Sequence, residues 1–290
     1  MEGRKQMIPV VKTIKEVRAF VKAAKREGKT VGFVPTMGYL HEGHKSLITR
    51  AVGENDVVVV SDFVNPTQFG PNEDFESYPR DIKKDAALCE DAGADLIFNP
   101  EPDEMYNNIL TSVSVAGITK GLCGASRPTH FDGVCQVVSK LFNIVTPDRA
   151  YFGEKDAQQL LVIKKMVQDL NFDIEIVGCP IIRESDGLAK SSRNTYLNAD
   201  ERKAALCLSR ALKKGKELIK NGEKDAKKVT DVIREEIGKE HLAKIDYVEL
   251  VSLDTLEPAK TTEGSILTAI AVYIGKTRLI DNFIIDKGDI

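Results

Sequence analysis

The chain is predicted to be an α/β protein, with a Rossmann-like doubly wound parallel sheet followed by a smaller C-terminal α+β domain. Three observations predict it. Short apolar runs alternate with amphipathic stretches up to about residue 182. One of these runs, Val57-Val58-Val59-Val60, is apolar on both faces, as a strand covered by helices on both sides requires. Beyond that point the alternation stops, and helical patterns are followed by β-like runs with no helix between them.

Strands are expected at 30–34, 56–64, 94–98, 149–152 and 173–177, and helices at 45–52, 74–92, 133–145 and 156–170. A polar loop at 183–194 leads to a helix starting near Asn198-Ala199-Asp200, and a second helix falls within 226–238. The closing β-like runs lie at 245–251, 265–274 and 277–285. The expected division is a Rossmann-like domain at 1–184 and a smaller C-terminal α+β domain at 185–290, without repeats or low-complexity tracts.

Composition narrows the function. With 41 basic and 44 acidic residues the net charge is −3, so no positive field is available to hold a nucleic-acid backbone. The Lys-rich stretch at 213–228 alternates with acidic and apolar positions and reads as a solvated helix face. Five widely spaced cysteines with no Cys-x-x-Cys pair suggest neither a disulfide framework nor a zinc knuckle, and fit a reducing cytoplasm. The polar start, residues 1–6, and the lack of any run long enough to span a bilayer point to a soluble, unexported protein with no membrane partner.

Four segments carry unusual chemistry. The first, Pro35-Thr36-Met37-Gly38-Tyr39-Leu40-His41-Glu42-Gly43-His44, runs from a strand through glycines into a helix start, where unpaired backbone N–H groups and the helix dipole favour an anion. Two histidines three apart can be zinc ligands or helix-start ornament; beside Gly38 and Gly43, with no further ligand nearby, they better suit phosphate oxygens. The second, Asn65-Pro66-Thr67-Gln68-Phe69-Gly70, follows a buried strand. Turn chemistry explains Asn65, but not Gln68, whose neutral amide can hold a carboxylate or hydroxyl without neutralising it.

In the third, Gly153-Glu154-Lys155-Asp156 again opens a helix. Asp156 reads as its cap, whereas Lys155 is a cation where the dipole disfavours one, so a bound anion is implied; Gln159 lies on the helix's first turn. The fourth, Lys190-Ser191-Ser192-Arg193-Asn194, is a connector that reads either as a plain linker or as a mobile loop whose Arg193 fork closes on phosphates.

Together these segments resemble the pantoate–β-alanine ligase family of the nucleotidyltransferase superfamily, which also contains class I aminoacyl-tRNA synthetases. The resemblance spans nearly the whole chain: Phe33-Val34-Pro35-Thr36-Met37-Gly38 through His44, Phe63 through Pro71, Ser77-Tyr78-Pro79-Arg80-Asp81, Arg127 through Lys140, Asp148 through Gln159, Ser191-Ser192-Arg193-Asn194 and Lys244-Ile245-Asp246-Tyr247-Val248-Glu249. It implies an ATP site built from Met37 to His44, Gly153 to Asp156, Ile182 and Lys190 to Arg193. It implies His44 as the proton donor, with His41, Lys155 and Arg193 beside it on the phosphates.

Gln68 is then expected on pantoate and β-alanine, Gln159 on pantoate, and Pro35, Thr36 and Asn65 along the substrate. ATP is expected as co-substrate with Mg2+ bridging its phosphates, and a homodimer as the assembly. No residue is assigned as a metal ligand; Asp85 reads as a solvated helix position. The sequence departs from the family pattern at Asp62, where an aliphatic residue is usual, at Thr129, where glycine is usual, and at Lys190, where methionine is common.

The implied reaction has two halves. Pantoate attacks the α-phosphate of ATP to give pantoyl adenylate and pyrophosphate, and β-alanine then attacks the acyl carbon to give pantothenate and AMP. Two other readings fit a phosphate cradle: another nucleotidyltransferase with a different acceptor, or a nucleotide-binding module without turnover.

Overall fold

The computed structural model describes residues 7–71 and 73–288; the polar stretch at 1–6, from which the unexported character was read, lies outside them. In chain order the elements are β1 (Val10–Val11), α1 (Ile14–Arg26), β2 (Val31–Thr36), α2 (Glu42–Glu54), β3 (Val57–Asp62), α3 (Ile82–Ala92), β4 (Leu96–Phe98), α4 (Pro102–Met105), α5 (Cys123–Ser126), α6 (His130–Val145), β5 (Arg149–Gly153), α7 (Ala157–Asp169) and β6 (Glu175–Cys179). They continue with α8 (Ala199–Ala204), α9 (Leu206–Lys220), α10 (Ala226–Gly238), β7 (Ala243–Ser252), β8 (Ile266–Ile274) and β9 (Thr277–Ile285). Single 3-10 turns span Pro66–Gln68, Glu154–Asp156 and Ser192–Tyr196. None of the helices is long and apolar enough to cross a membrane among the described residues.

Two compact units form. The first comprises Met1–Val115, Thr129–Glu154 and Gln159–Pro180; the second comprises Ala116–Pro128, Lys155–Gln158 and Ile181–Ile290. The single cut expected at 184 therefore misses two short segments. Gln158 explains both: its buried carboxamide donates to the carbonyls of Ile118 and Gly121 and accepts the Cys123 amide, tying 118–123 and 155–158 into one unit.

The first unit holds a six-stranded parallel sheet in the order β1-β4-β3-β2-β5-β6. All of β3 is buried, which is why it opens on four consecutive valines, although it ends in the buried polar pair Ser61 and Asp62. The strand order reverses at β2, with β3 on one side and β5 on the other, so the crevice beyond the carboxyl ends of β2 and β5 is the topological switch point. Helix α1, which the sequence reading passed over, is fixed by a Thr13–Glu16 capping box and buries Val17, Val21 and Ala24.

The helix expected from residue 74 begins only at Ile82. Before it, Pro79 and Arg80 hold a turn in which the guanidinium binds the Phe75 and Tyr78 carbonyls, and Asp81 caps the helix through the Lys84 amide. Asp85 is not solvated as expected: it is 1% exposed, for reasons given below.

The second unit is a β7-β8-β9 antiparallel meander. Its central strand β8 is buried nearly throughout, and apolar positions of α9 and α10 join its residues in one core with Leu208, Leu212, Val229, Ile233, Ile270 and Val272. Gly215 on α9 lies so close to Ile233 that a Cβ there would collide with it. The sheet's Asp281 carboxylate is buried and takes a bidentate pair from Arg183 at 2.7 and 2.9 Å.

Candidate functional site

The 37–44 turn leaves β2 at the switch point. Thr36 shapes it, with its hydroxyl donating to the Ser61 carbonyl and accepting the Gly38 amide. Gly38 and Tyr39 both take positive φ, +76° and 50°, and a Cβ on Gly38 would run into the Asp62 carboxylate. Beneath the turn, the Asp85 carboxylate accepts the Tyr39 and Leu40 amides at 2.6 Å each, which accounts for its burial.

The turn feeds α2 through a reciprocal cap made of its two histidines. His41 Nδ1 accepts the Gly43 amide at 3.1 Å, His44 Nδ1 accepts the His41 amide at 3.3 Å, and the rings pack 4.2 Å apart. Because Nδ1 is an acceptor in each ring, the neutral imidazole carries its proton on Nε2. The pair therefore presents two Nε2–H donors beside the helix N-terminus, where an anion is favoured.

From β3 the chain turns through Pro66–Gln68. Helix α6 packs on this turn with Gly133 at the contact, where a Cβ would collide with the Thr67 backbone. Asn65 sits between them, almost fully buried. Its Nδ2 donates to Gln68 Oε1 and to the Gly133 carbonyl, and its Oδ1 accepts from the Tyr106 hydroxyl and from the Thr67 amide and hydroxyl.

The Asn65 carboxamide is thus engaged within the protein on both its nitrogen and its oxygen. It also orients Gln68: with Oε1 taken by Asn65, Nε2 is the donor end, 2.9 Å from Met37 Sδ. That contact brings the expected substrate turn against the expected ATP turn. His130, which the sequence reading set aside, supports it from α6 through Nδ1 at 2.9 Å from the Gln68 carbonyl. The only sequence signal for His130 was its place in the matched Arg127 to Lys140 stretch.

On the other side of β2, the end of β5 carries Gly153 and Glu154, and Gln159 is half-buried on the first turn of α7. Pro35 lies in β2 opposite Ser61 of β3. The remaining expected residues belong to the second unit. There the Lys155 ammonium lies 3.8 Å from Asp156, and the Lys155 carbonyl accepts the Asn282 side chain.

The connector is an ordered hairpin: Glu184 and Leu188 pair across a turn, and the Lys190 amide donates to the Ile182 carbonyl. Lys190 Nζ lies 3.3 Å from Glu184, and Ser191 caps the turn holding the buried Ser192 by accepting the Arg193 amide. Among the described residues no group of three or more His, Cys, Asp or Glu is arranged to hold a metal ion.

Comparison with known proteins identifies the family. The family model described as Pantoate-beta-alanine ligase matches residues 9–284. A pantothenate synthetase of Clostridium novyi (strain NT) is 63% identical over 277 residues, 95% of this chain and 98% of that protein. One from Clostridioides difficile (strain 630) is 62% identical over 275 residues, 94% of this chain and 98% of its own.

Among solved structures, the pantothenate synthetase of Thermus thermophilus superposes with a TM-score of 0.91 at 47% identity, covering 95% of this chain and 99% of that one. The pantoate-beta-alanine ligase of Francisella tularensis, complexed with beta-gamma ATP and beta-alanine, superposes with a TM-score of 0.77 at 36% identity, covering 96% and 97%. The chain belongs to the pantoate–β-alanine ligase family.

Proposed function

We propose that this chain joins pantoate to β-alanine at the expense of ATP, forming pantothenate, AMP and pyrophosphate through a pantoyl adenylate. The observation that carries the proposal is the double-histidine cap at the sheet's switch point, with Gln68 Nε2 directed at the same turn. A carboxylate oxygen of pantoate attacks the α-phosphorus, the bond to the β-phosphate breaks, and pyrophosphate leaves. The amine of β-alanine then attacks the acyl carbon, AMP departs with the electron pair of the acyl–oxygen bond, and the amine loses a proton to solvent.

In this reading the backbone amides of the 37–44 turn, His41 and His44 take phosphate oxygens, and His44 Nε2–H donates a hydrogen bond to the charge that builds on the leaving side. Glu154, Lys155, Asp156, Ile182, Lys190, Ser191, Ser192 and Arg193 complete the nucleotide's surroundings, with Lys155 and Arg193 as the charges that offset pyrophosphate. Gln68 holds pantoate and then β-alanine, and Gln159 holds pantoate. Neutral amides suit this task because a carboxylate locked to a guanidinium is a poorer nucleophile.

Magnesium is read as a companion of the triphosphate, held by its phosphate oxygens. It supplies charge neutralisation of the phosphates. The enzyme is read as a cytoplasmic homodimer without nucleic-acid or membrane partners; its buried thiols fit a reducing compartment, and sedimentation tests the assembly.

The test is to supply ATP, magnesium and pantoate and to follow pyrophosphate and AMP separately. Pyrophosphate is expected without β-alanine, and AMP only after its addition. His44→Ala is expected to lose at least about a hundredfold in the first half-reaction, the scale of one lost donor to a developing negative charge. Pyrophosphate release at the wild-type rate from His44→Ala refutes the assigned role, and no pyrophosphate from the wild type refutes the adenylate route.

A further inference from the structure

The floor of the 37–44 turn contains two carboxyl groups, Asp62 at the end of β3 and Asp85 on α3, and both are buried. Asp85 has its two oxygens committed to the Tyr39 and Leu40 amides, while Asp62 Oδ2 finds no hydrogen-bond donor. Both carboxyl groups serve the same short stretch of backbone: Asp62 closes the space beside Gly38, and Asp85 holds the amides of the next two residues. Two facing carboxyl groups without a donor between them persist only when one carries a proton.

We propose that Asp62 and Asp85 share one proton, held on Asp62, and that this acid pair positions the turn on which ATP places its phosphates. Asp85 is the anion that holds two backbone amides in place, and Asp62 donates to it from below. Both are positioning residues; neither touches substrate. The proposal rests on the reading of the 37–44 turn as the phosphate seat.

Burial, with the Asp85 charge second, pushes the Asp62 carboxyl up to about 7, so the proton is lost near neutrality. Burial raises Asp85 as well, against the pull of the Leu40 and Tyr39 amides and of Asp62, with Asp81 adding a like charge from the start of α3. Beside the pair is the Cys89 thiol, pushed up to about 12 by burial and by both carboxylates, and above the turn the Lys84 ammonium lies over the Tyr39 ring. Once Asp62 ionises, two unshielded carboxylates sit beneath an anion seat, and the turn and the bound triphosphate are both disfavoured.

The experiment measures KM for ATP from pH 6 to 9 in wild type, Asp62→Asn and Asp62→Leu, expressed as wild type over variant so that ATP's own titration cancels. Asparagine donates the same hydrogen bond with no proton to lose. The ratio is expected to climb about tenfold across neutrality, the size of one pK unit of coupling. Asp62→Leu, which cannot ionise either, keeps the test open if Asp62→Asn folds poorly.

A second readout needs no nucleotide. The folded state keeps on Asp62 a proton that the unfolded chain gives up near its ordinary value, so wild type should lose unfolding midpoint relative to Asp62→Asn as pH rises from about 4 to about 7, and no further above it. A pH-independent midpoint difference overturns the shared proton. A sloping midpoint difference with a flat KM ratio overturns the positioning role; ATP binding to His44→Ala then reports separately whether the phosphate seat was misplaced.

Discussion

Replacing Asn65 by alanine tests how the substrate turn is built. The side chain is 1% exposed and bonds five groups, but they do not count equally. Thr67 can turn its hydroxyl to water, and the Gly133 carbonyl lies inside a helix that offers it a backbone amide. The Gln68 side chain and the Tyr106 hydroxyl, 3.0 and 2.6 Å from Asn65, each lose a hydrogen bond. At about 1–1.5 kcal/mol for each lost bond, the expected cost is about 2–3 kcal/mol, and Tyr106→Phe, which removes one end only, should cost about 1 kcal/mol. Urea unfolding reads the stability, and initial rates against pantoate read the site. Because Gln68 loses the bond that orients its amide, KM for pantoate should rise about tenfold alongside the lost stability. A large rise in pantoate KM at unchanged stability would instead mean that Asn65 holds substrate itself, and unchanged values of both would sink the account of the turn.

Gly38→Ala forces a side chain into a left-handed backbone position and against Asp62; about 2 kcal/mol of stability and most ATP affinity should go with it, read by urea unfolding and by ATP titration. Arg183→Ala strands the buried Asp281 carboxylate and should cost about 3–5 kcal/mol in denaturant unfolding, with Arg183→Lys recovering only part because it cannot form the bidentate pair. Hydrogen bonds from Lys214 and Lys239 hold the Glu236 carboxyl down to about 2. Its contribution is therefore present above the ordinary glutamate value and lost as pH falls from about 4.5 to about 2, and Glu236→Gln should flatten that limb of a pH–stability curve.

What the sequence disclosed depended on how local each cause was. The strand β3 was legible because burial on both faces leaves an apolar run, and the histidine turn was legible because strand, glycines and helix start are consecutive. Asp85 was misread for the opposite reason. Flanked by Lys83 and Lys84, it has the local pattern of a solvated helix face, and the amides that bury it come from 45 and 46 residues earlier in the chain. His130 is explained by a carbonyl 62 residues away, and the engagement of Asn65 by Tyr106 and Gly133 was not legible because it needs the packing of α6 and the 106 region. The separation of 116–128 from its sequence neighbours likewise follows from one buried side chain, Gln158, that nothing in its surroundings marks.

The distribution of charge explains why the turn uses histidines at all. The stretch from Pro35 to His44 has no lysine or arginine, and it rests on two carboxyl groups. A cation there would pair with Asp62 or Asp85 before it met a phosphate. Imidazoles fixed by backbone amides at Nδ1 avoid that loss, because a neutral ring offers Nε2–H without seeking a counter-ion. The same economy applies to Gln68, whose donor end is fixed by a neutral neighbour, so the pantoate carboxylate it is proposed to hold keeps its charge for attack. The full cations among the proposed site residues, Lys155, Lys190 and Arg193, lie outside this turn. Their removal should therefore slow the departure of pyrophosphate while leaving the capture of preformed adenylate by β-alanine nearly intact, whereas loss of Gln68 should slow both steps.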